Sequence, residues 1–502
     1  MFAYRYCGVT LGILLLSFTS ASQAKDPYDA AIPNESLKQP FAEQVPIRFL
    51  ARGQNPKAWD ALPKFWNEGT EEVTDPMTGQ KIVCKIVTIK VPLGLTTPPP
   101  IPAENPITLA KWELGKRLYY DPILSTNNTI SCATCHNPAK GFTDQLATSL
   151  GINDNIGGMN APTVINSAYN RFQFWNGRAA SLEDQSQGPP TNPLEMFAGK
   201  GNPWEEAISR IRANPEYVKA FEAVFGHVPT QDATAKAIAA YERTVLSGNS
   251  IHDRADLAMR DRVREEESGN YTLKAEDYTT AIKDAFAQKD TASLKALGLD
   301  VNKDANKAAE IGQRLVNGRN LFFGKARCTN CHVGDNFTDH AFHNLGVGAE
   351  EGKLTAEAFG RFNPLPTGHK DPTQIGAWKT PGLRSLLSTA PYMHDGSEKT
   401  LEAVIDLYDR GGNANEFLDE KMRDTEAEAA YVRAKATGST YNGPKPALLT
   451  RSGWPIIPFK LNLTPAEKAD LVLFMKALQG DPIDRVVADP AYYPSTAKVS
   501  QR

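Results

Sequence analysis

Cys132-Ala-Thr-Cys135-His136 and Cys328-Thr-Asn-Cys331-His332 carry one pattern twice, and that pattern decides the fold. Two thiols two residues apart, followed at once by a histidine, form the attachment signature of c-type haem. The thiols reach the two vinyl groups of one porphyrin, and the histidine is held beneath the iron. A thioredoxin-like dithiol, or one zinc ion shared between the two Cys-x-x-Cys pairs, is the competing reading. The histidine after each pair, and the export signal described below, favour haem.

The surroundings of the motifs repeat as well, as an internal duplication requires. Glu113-Leu-Gly-Lys-Arg-Leu-Tyr-Tyr120 precedes the first and Asn317-Gly-Arg-Asn-Leu-Phe-Phe323 the second, each apolar at helical spacing. Phe142-Thr-Asp144 follows one and Phe337-Thr-Asp339 the other. The expected fold is mainly α: two cytochrome c-like helical domains, over 106–305 and 306–485, each with one covalently bound haem.

Other segments frame this core. Arg5 is the only charge in the first 24 residues, and the apolar run Val9 to Phe18 leads to Ser22-Gln23-Ala24. That reads as a secretory signal peptide over 1–24, because about 10 apolar residues fall short of the roughly 20 that span a bilayer. Cleavage removes Cys7 and leaves Cys84 beside the four motif cysteines. Residues 25–105 are Pro-rich and contain the strand-like run Lys81 to Val91, so they read as an N-terminal extension with a little β structure. Cys84 within it reads as a buried small residue. Residues 255–305 are charged and helical in composition, Asp419 to Gly443 is a second polar stretch, and both read as solvated surface. Residues 486–502 read as a C-terminal tail.

Of 502 residues, 41% are hydrophobic and 23% charged, which is ordinary globular composition and too long a chain for one core. Lys and Arg total 55 against 58 Asp and Glu, so no polyanion such as nucleic acid is indicated as partner. Six cysteines are too few for a disulfide scaffold.

Phe174-Trp-Asn-Gly-Arg-Ala179, Asn192-Pro-Leu-Glu-Met196, Thr380-Pro-Gly-Leu-Arg384 and Ala390-Pro-Tyr-Met-His-Asp-Gly396, with the two haem motifs, resemble the bacterial dihaem cytochrome c peroxidase and MauG family over roughly 105–480. The resemblance implies that peroxide reacts at the first haem, with His136 as proximal ligand, and that the second, on His332, passes or stores electrons. It implies Trp175 between the haems and Gln185, Pro189 and Glu195 in the distal pocket. It also implies a calcium ion held by the Asn160 side chain and the carbonyls of Thr389 and Pro391. A distal carboxylate suits peroxide cleavage, since it takes the proton of the near oxygen and returns it to the leaving one. Arg178 reads as a partner for a haem propionate or as a solvated charge.

Two departures matter. Many relatives place a ligating His where Ile152 stands, and no His occurs from 137 to 226, so an open or water-bound first iron is expected. Met159 and Lys140 are conceivable substitutes away from that position. On the second haem the family's ligand position falls at Tyr408 rather than Met393, and a hard phenolate stabilises high oxidation states over ferrous iron. The expected function is a periplasmic peroxidase that reduces hydrogen peroxide with electrons from a small redox protein, with two haem c and one calcium ion, exported or held at the cell surface. The alternative is a MauG-like oxidase acting on a partner protein. Ala326 stands where MauG carries a Trp at its protein-substrate face, which weakens that alternative.

Overall fold

The computed structural model describes residues 44–75 and 78–494. The expected signal peptide with its cleavage site, and Cys7, lie outside the described residues. No helix among those described is long and apolar enough to cross a membrane.

The extension folds into a three-stranded sheet of β1 (Ile47–Leu50), β2 (Trp66–Thr74) and β3 (Lys81–Lys90), with β3 central, parallel to β1 and antiparallel to β2. A short helix α1 (Pro56–Ala61) links β1 to β2. Trp66, Val87, Ile89 and Val91 turn inward and join one continuous core with Trp112, Leu118 and Tyr119. The sheet is thus part of the first domain rather than a separate layer. Cys84 on β3 is buried, as expected.

The first domain follows: α2 (Leu109–Tyr120), α3 (Cys132–Cys135), α4 (Leu182–Gln185), α5 (Pro203–Ala213), α6 (Pro215–Phe225) and α7 (Gln231–Glu242). Helix α2 is buried from Ala110 to Tyr119 because the sheet, α7 and the chain end all pack on it. Where α2 crosses α7, a Cβ on Gly115 would lie 1.8 Å from the Ala237 carbonyl oxygen, so only glycine permits the approach.

Next come α8 (Ile251–Glu266), α9 (Ala275–Ala287), α10 (Thr291–Ala296) and α11 (Ala308–Phe323), then α12 (Leu401–Asp409), α13 (Thr425–Thr437), α14 (Pro465–Lys476) and α15 (Arg485–Ala488). Helices α11 and α14 repeat the first crossing: a Cβ on Gly318 would lie 2.0 Å from the Asp470 carbonyl oxygen. The duplication seen in the motifs therefore extends to the helix pairs that carry them.

Two segments differ from their sequence reading. Residues 255–305, expected as a charged helical insertion at the solvated surface, are buried along one face. Ala255, Met259, Val263, Tyr278 and Ile282 form a core with Leu315 and Leu473, on the helices of the second domain. A four-residue spacing of apolar side chains is enough to bury one face of a helix whose other faces are charged. The C-terminal tail is also docked as far as it is described: Val487 and Tyr493 are buried, and the Lys116 ammonium donates to the carbonyls of Val486 and Tyr492. On the polar stretch, α13 is mostly solvated, but Glu428 is buried and pairs with Arg423.

Candidate functional site

Each Cys-x-x-Cys-His segment is a single helical turn closed by a bond from the histidine N–H to the first cysteine's carbonyl, 2.9 Å in both copies. In the first copy the Thr134 hydroxyl accepts from the Ser131 N–H and starts that turn. The imidazole is then aimed by the repeated Phe-Thr-Asp segment. Phe142 (φ 56°) and Phe337 (φ 53°) both adopt the left-handed conformation, which is uncommon for a bulky residue. That turn presents their carbonyls to Nδ1 of His136 (3.3 Å) and His332 (2.9 Å). The contact fixes the tautomer with Nδ1 protonated and leaves Nε2 as the free ligand atom. Burial lowers both imidazole pKa values, so the rings are neutral, as metal ligation requires.

Burial pushes the Cys132, Cys135 and Cys328 thiols upward, Cys135 to about 11 and Cys328 to about 12. These three remain protonated, unlike an activated redox dithiol, and none of the four motif cysteines is paired with another. Nor do the two pairs converge as a zinc site would require. Among the described residues the one group of three metal-capable side chains is Cys331, Asp339 and His343.

One cavity of about 650 Å³ runs between the halves and is walled by both His136 and His332. Leucine, isoleucine and valine side chains, among them Val164, Leu182, Leu383 and Ile405, line it beside Cys135, Cys328 and Cys331. Apolar walls, thiols at hand and one neutral Nε2 on each side fit two haem c groups. Trp175, Gln185, Pro189 and Glu195 line the same cavity, with the Glu195 carboxylate near Cys135. Glu195 accepts a 2.6 Å hydrogen bond from the Asn192 side chain. Burial raises its pKa against the opposing pull of Arg178 and Asn192. Arg178 stacks over the Phe174 ring at 3.4 Å and also lines the cavity.

Ile152 is fully buried, and its N–H donates to the Glu195 carbonyl at 2.8 Å, which makes it a support of the distal segment. Met159 lines the cavity, whereas the Lys140 ammonium is occupied by the Asp144 carbonyl. On the second side Tyr408 and Met393 both line the cavity. Burial, reinforced by Cys331 and Cys328 nearby, raises the Tyr408 phenol.

Asn160 joins the halves. Its N–H donates to the His394 carbonyl (2.8 Å) and its carbonyl accepts from the Trp175 indole (2.9 Å). Trp175 and His394 occupy equivalent places in two matching turns, closed by the bridges Gln173–Ala179 and Tyr392–Glu398. Asn160, Thr389 and Pro391 line the same cavity. The Asn160 amide nitrogen donates to the Leu146 carbonyl, which leaves its side-chain oxygen as the donor a hard cation takes.

Sequence reasoning missed a polar cluster against Cys331. His343 lies between Asp339 (2.9 Å) and Asp419 (2.7 Å), with Lys421 at 3.4 Å from Asp339. Burial opposes its charge, but bonds to Asp419, Cys331 and Asp339 raise it to about 10. The cysteine contribution ends when that thiol becomes a thioether, so the carboxylates are the lasting cause. Asp339 was visible as part of a repeated motif; its partners 4 and 82 residues away were not.

Comparison with known proteins agrees with this geometry. Residues 109–262 match the family described as di-haem cytochrome c peroxidase. The methylamine utilization protein MauG of Methylorubrum extorquens is 33% identical over 331 residues, covering 64% of this chain and 75% of that protein. The cytochrome-c peroxidase IdrP1 of Denitromonas iodatirespirans is 33% identical over 354 residues, 66% of this chain and 81% of that one. The cytochrome c peroxidase Ccp of Escherichia coli is 31% identical over 327 residues, 65% of this chain and 58% of that longer protein. A solved structure of a MauG-like protein associated with microbial copper homeostasis aligns with a TM-score of 0.54 at 27% identity, over 79% of this chain and 97% of that one.

Proposed function

From the premise that the chain belongs to the di-haem cytochrome c peroxidase and MauG family, we propose that it reduces hydrogen peroxide to water on the His136 side of the cavity, in the periplasm, with electrons from a small redox protein. The observation that carries this is the carboxyl of Glu195, half-buried, restrained by Asn192 and sharing one cavity with His136 and Gln185.

Haem c bound at the two motifs supplies the peroxide-splitting iron and a second one-electron redox centre. The chain's own groups do the rest. His136 offers Nε2 because Phe142 holds Nδ1. Glu195 takes the proton of the near peroxide oxygen and returns it to the leaving one, and desolvation, which raises its pKa, favours the protonated form that must be reached in between. Gln185 orients the peroxide without competing for the proton. Pro189 shapes the pocket wall. Trp175 carries electrons between the two sides. His332 and Tyr408 hold the second iron, and a phenolate there favours oxidised iron. Asn160, Thr389 and Pro391 supply oxygen donors for one calcium ion between the halves.

Tyr408 also favours a second reading, peroxide-dependent oxidation of a partner protein, because a stabilised oxidised second site would wait for a slow substrate. The deciding experiment gives holoprotein peroxide together with reduced small redox proteins. Catalytic turnover of a donor supports the peroxidase; a lasting oxidised state discharged only by a partner protein supports the second reading; no peroxide consumption overturns both.

A further inference from the structure

The first domain buries a row of oxidisable rings that starts at the haem-binding histidine and ends in the N-terminal sheet. The Tyr119 hydroxyl donates to the His136 carbonyl at 2.7 Å. From Tyr119 the ring centroids step 4.9 Å to Tyr241, 6.1 Å to Trp112 and 4.9 Å to Trp66 on β2. All four are buried, Trp66 the most exposed at 5%.

The duplication supplies an internal control. Tyr241 lies four residues after Ala237, where α7 crosses Gly115; Phe474 lies four after Asp470, where α14 crosses Gly318. Phe322 holds the place of Tyr119 and packs on Phe474 at 5.2 Å, and Leu315 holds the place of Trp112. Hydrocarbon side chains therefore suffice to pack this helix crossing. The first domain uses phenols and indoles, which must be satisfied by bonds from Tyr241 to Val487 (3.0 Å) and from Trp112 to Thr244 (2.8 Å). Buried polar groups cost stability unless bonded, so packing alone does not explain them. What distinguishes the two sets is that indoles and phenols give up an electron far more readily than phenylalanine or leucine.

We infer that Trp66, Trp112, Tyr241 and Tyr119 form an electron relay from the N-terminal sheet to the haem bound at His136. The inference rests on the reading that peroxide is reduced on that side. When no external donor is present, the relay's own indoles are the electron source. A tryptophan and one water give hydroxytryptophan, two electrons and two protons; one hydrogen peroxide takes these and becomes two waters. The new C–O bond contains water oxygen, and the O–O bond of peroxide is the one that breaks.

The test uses the full holoprotein without air, unlabelled peroxide and water enriched in the heavy oxygen isotope, followed by peptide mass spectrometry. The relay predicts heavy-oxygen hydroxytryptophan at Trp66 and Trp112 and none at Trp454, which is 43% exposed but off the row. In Trp112→Phe the label at Trp66 is lost. Should that variant fail to retain haem, Trp66→Phe serves instead, with the label then confined to Trp112. Peroxide consumption with Trp66 and Trp112 unmodified, or carrying peroxide oxygen, overturns the relay alone. No consumption at all overturns the peroxidase reading and the relay with it.

Discussion

The Asp253 carboxylate and the Arg384 guanidinium meet fork to fork at 2.7 and 3.0 Å, their side chains only 4% and 3% exposed. The same guanidinium donates to the carbonyls of Asp335 and Gly94. One side chain thus joins the end of the extension, the start of α8 and the loop after the second haem motif.

Asp253→Asn leaves that cation buried without its counter-charge, and a loss of about 3–5 kcal/mol is expected. Burial alone would raise the Asp253 carboxyl, but Arg384 outweighs it and holds the pKa below the ordinary carboxylate value. A depressed folded pKa means the contribution is present above the ordinary carboxylate range and fades as pH falls through the depressed value. Thermal melts of the holoprotein across acid pH should show this component in the wild type and not in the variant. An unchanged melting temperature at neutral pH would count against it.

Glu195→Gln keeps volume and removes the titrating proton. Both haems should stay attached while peroxide cleavage slows by roughly 100-fold or more, the scale of a lost acid–base group. Stopped-flow mixing with peroxide reads this directly, and near-wild-type rates would demote Glu195 to a structural carboxylate.

The oxidised protein should react with peroxide without prior reduction, because Ile152 is a core residue whose side chain has no ligating atom. Paramagnetic resonance of the untreated holoprotein should contain a high-spin component. A purely low-spin spectrum that needs a reductant before turnover would mean that Met159, which faces the cavity, ligates the iron.

Replacing Tyr408 with Met should raise the potential of the second haem and abolish any oxidised state shared by both irons, with haem content unchanged. Redox titration is the measurement. If Tyr408→Met leaves the potential untouched while Met393→Ala shifts it, the axial ligand is Met393.

What the sequence disclosed follows from where its constraints are local. Haem attachment needs two thiols and a histidine within five consecutive residues, so it is legible at a glance. Phe-Thr-Asp was legible as a repeat but not as a device, because its role lies in a backbone carbonyl turned by an uncommon φ, which no residue type announces. Arg384 is legible as part of a motif, yet its partner lies 131 residues earlier, and only the folded chain brings them together. The charged run 255–305 misled because composition averages over a helix, whereas Ala255, Met259 and Val263 place their apolar atoms on one face.

The docking of the chain end has a consequence for the order of assembly. Val486, Val487, Ala488 and Tyr492 supply carbonyls to Lys116, Tyr241 and Tyr120, across sequence separations of 246 to 376 residues. A protein made from its N-terminus cannot close this wall of the first domain until residues 486–492 have emerged. Such distant pairings are also the slowest to find one another. Cys132 and Cys135 emerge long before that closure, which gives haem-attaching machinery a period of access to the first motif. The second motif, some 160 residues before Tyr492, has a shorter one. A chain truncated before Asp484 should therefore still acquire its first haem while failing to hold a stable first domain.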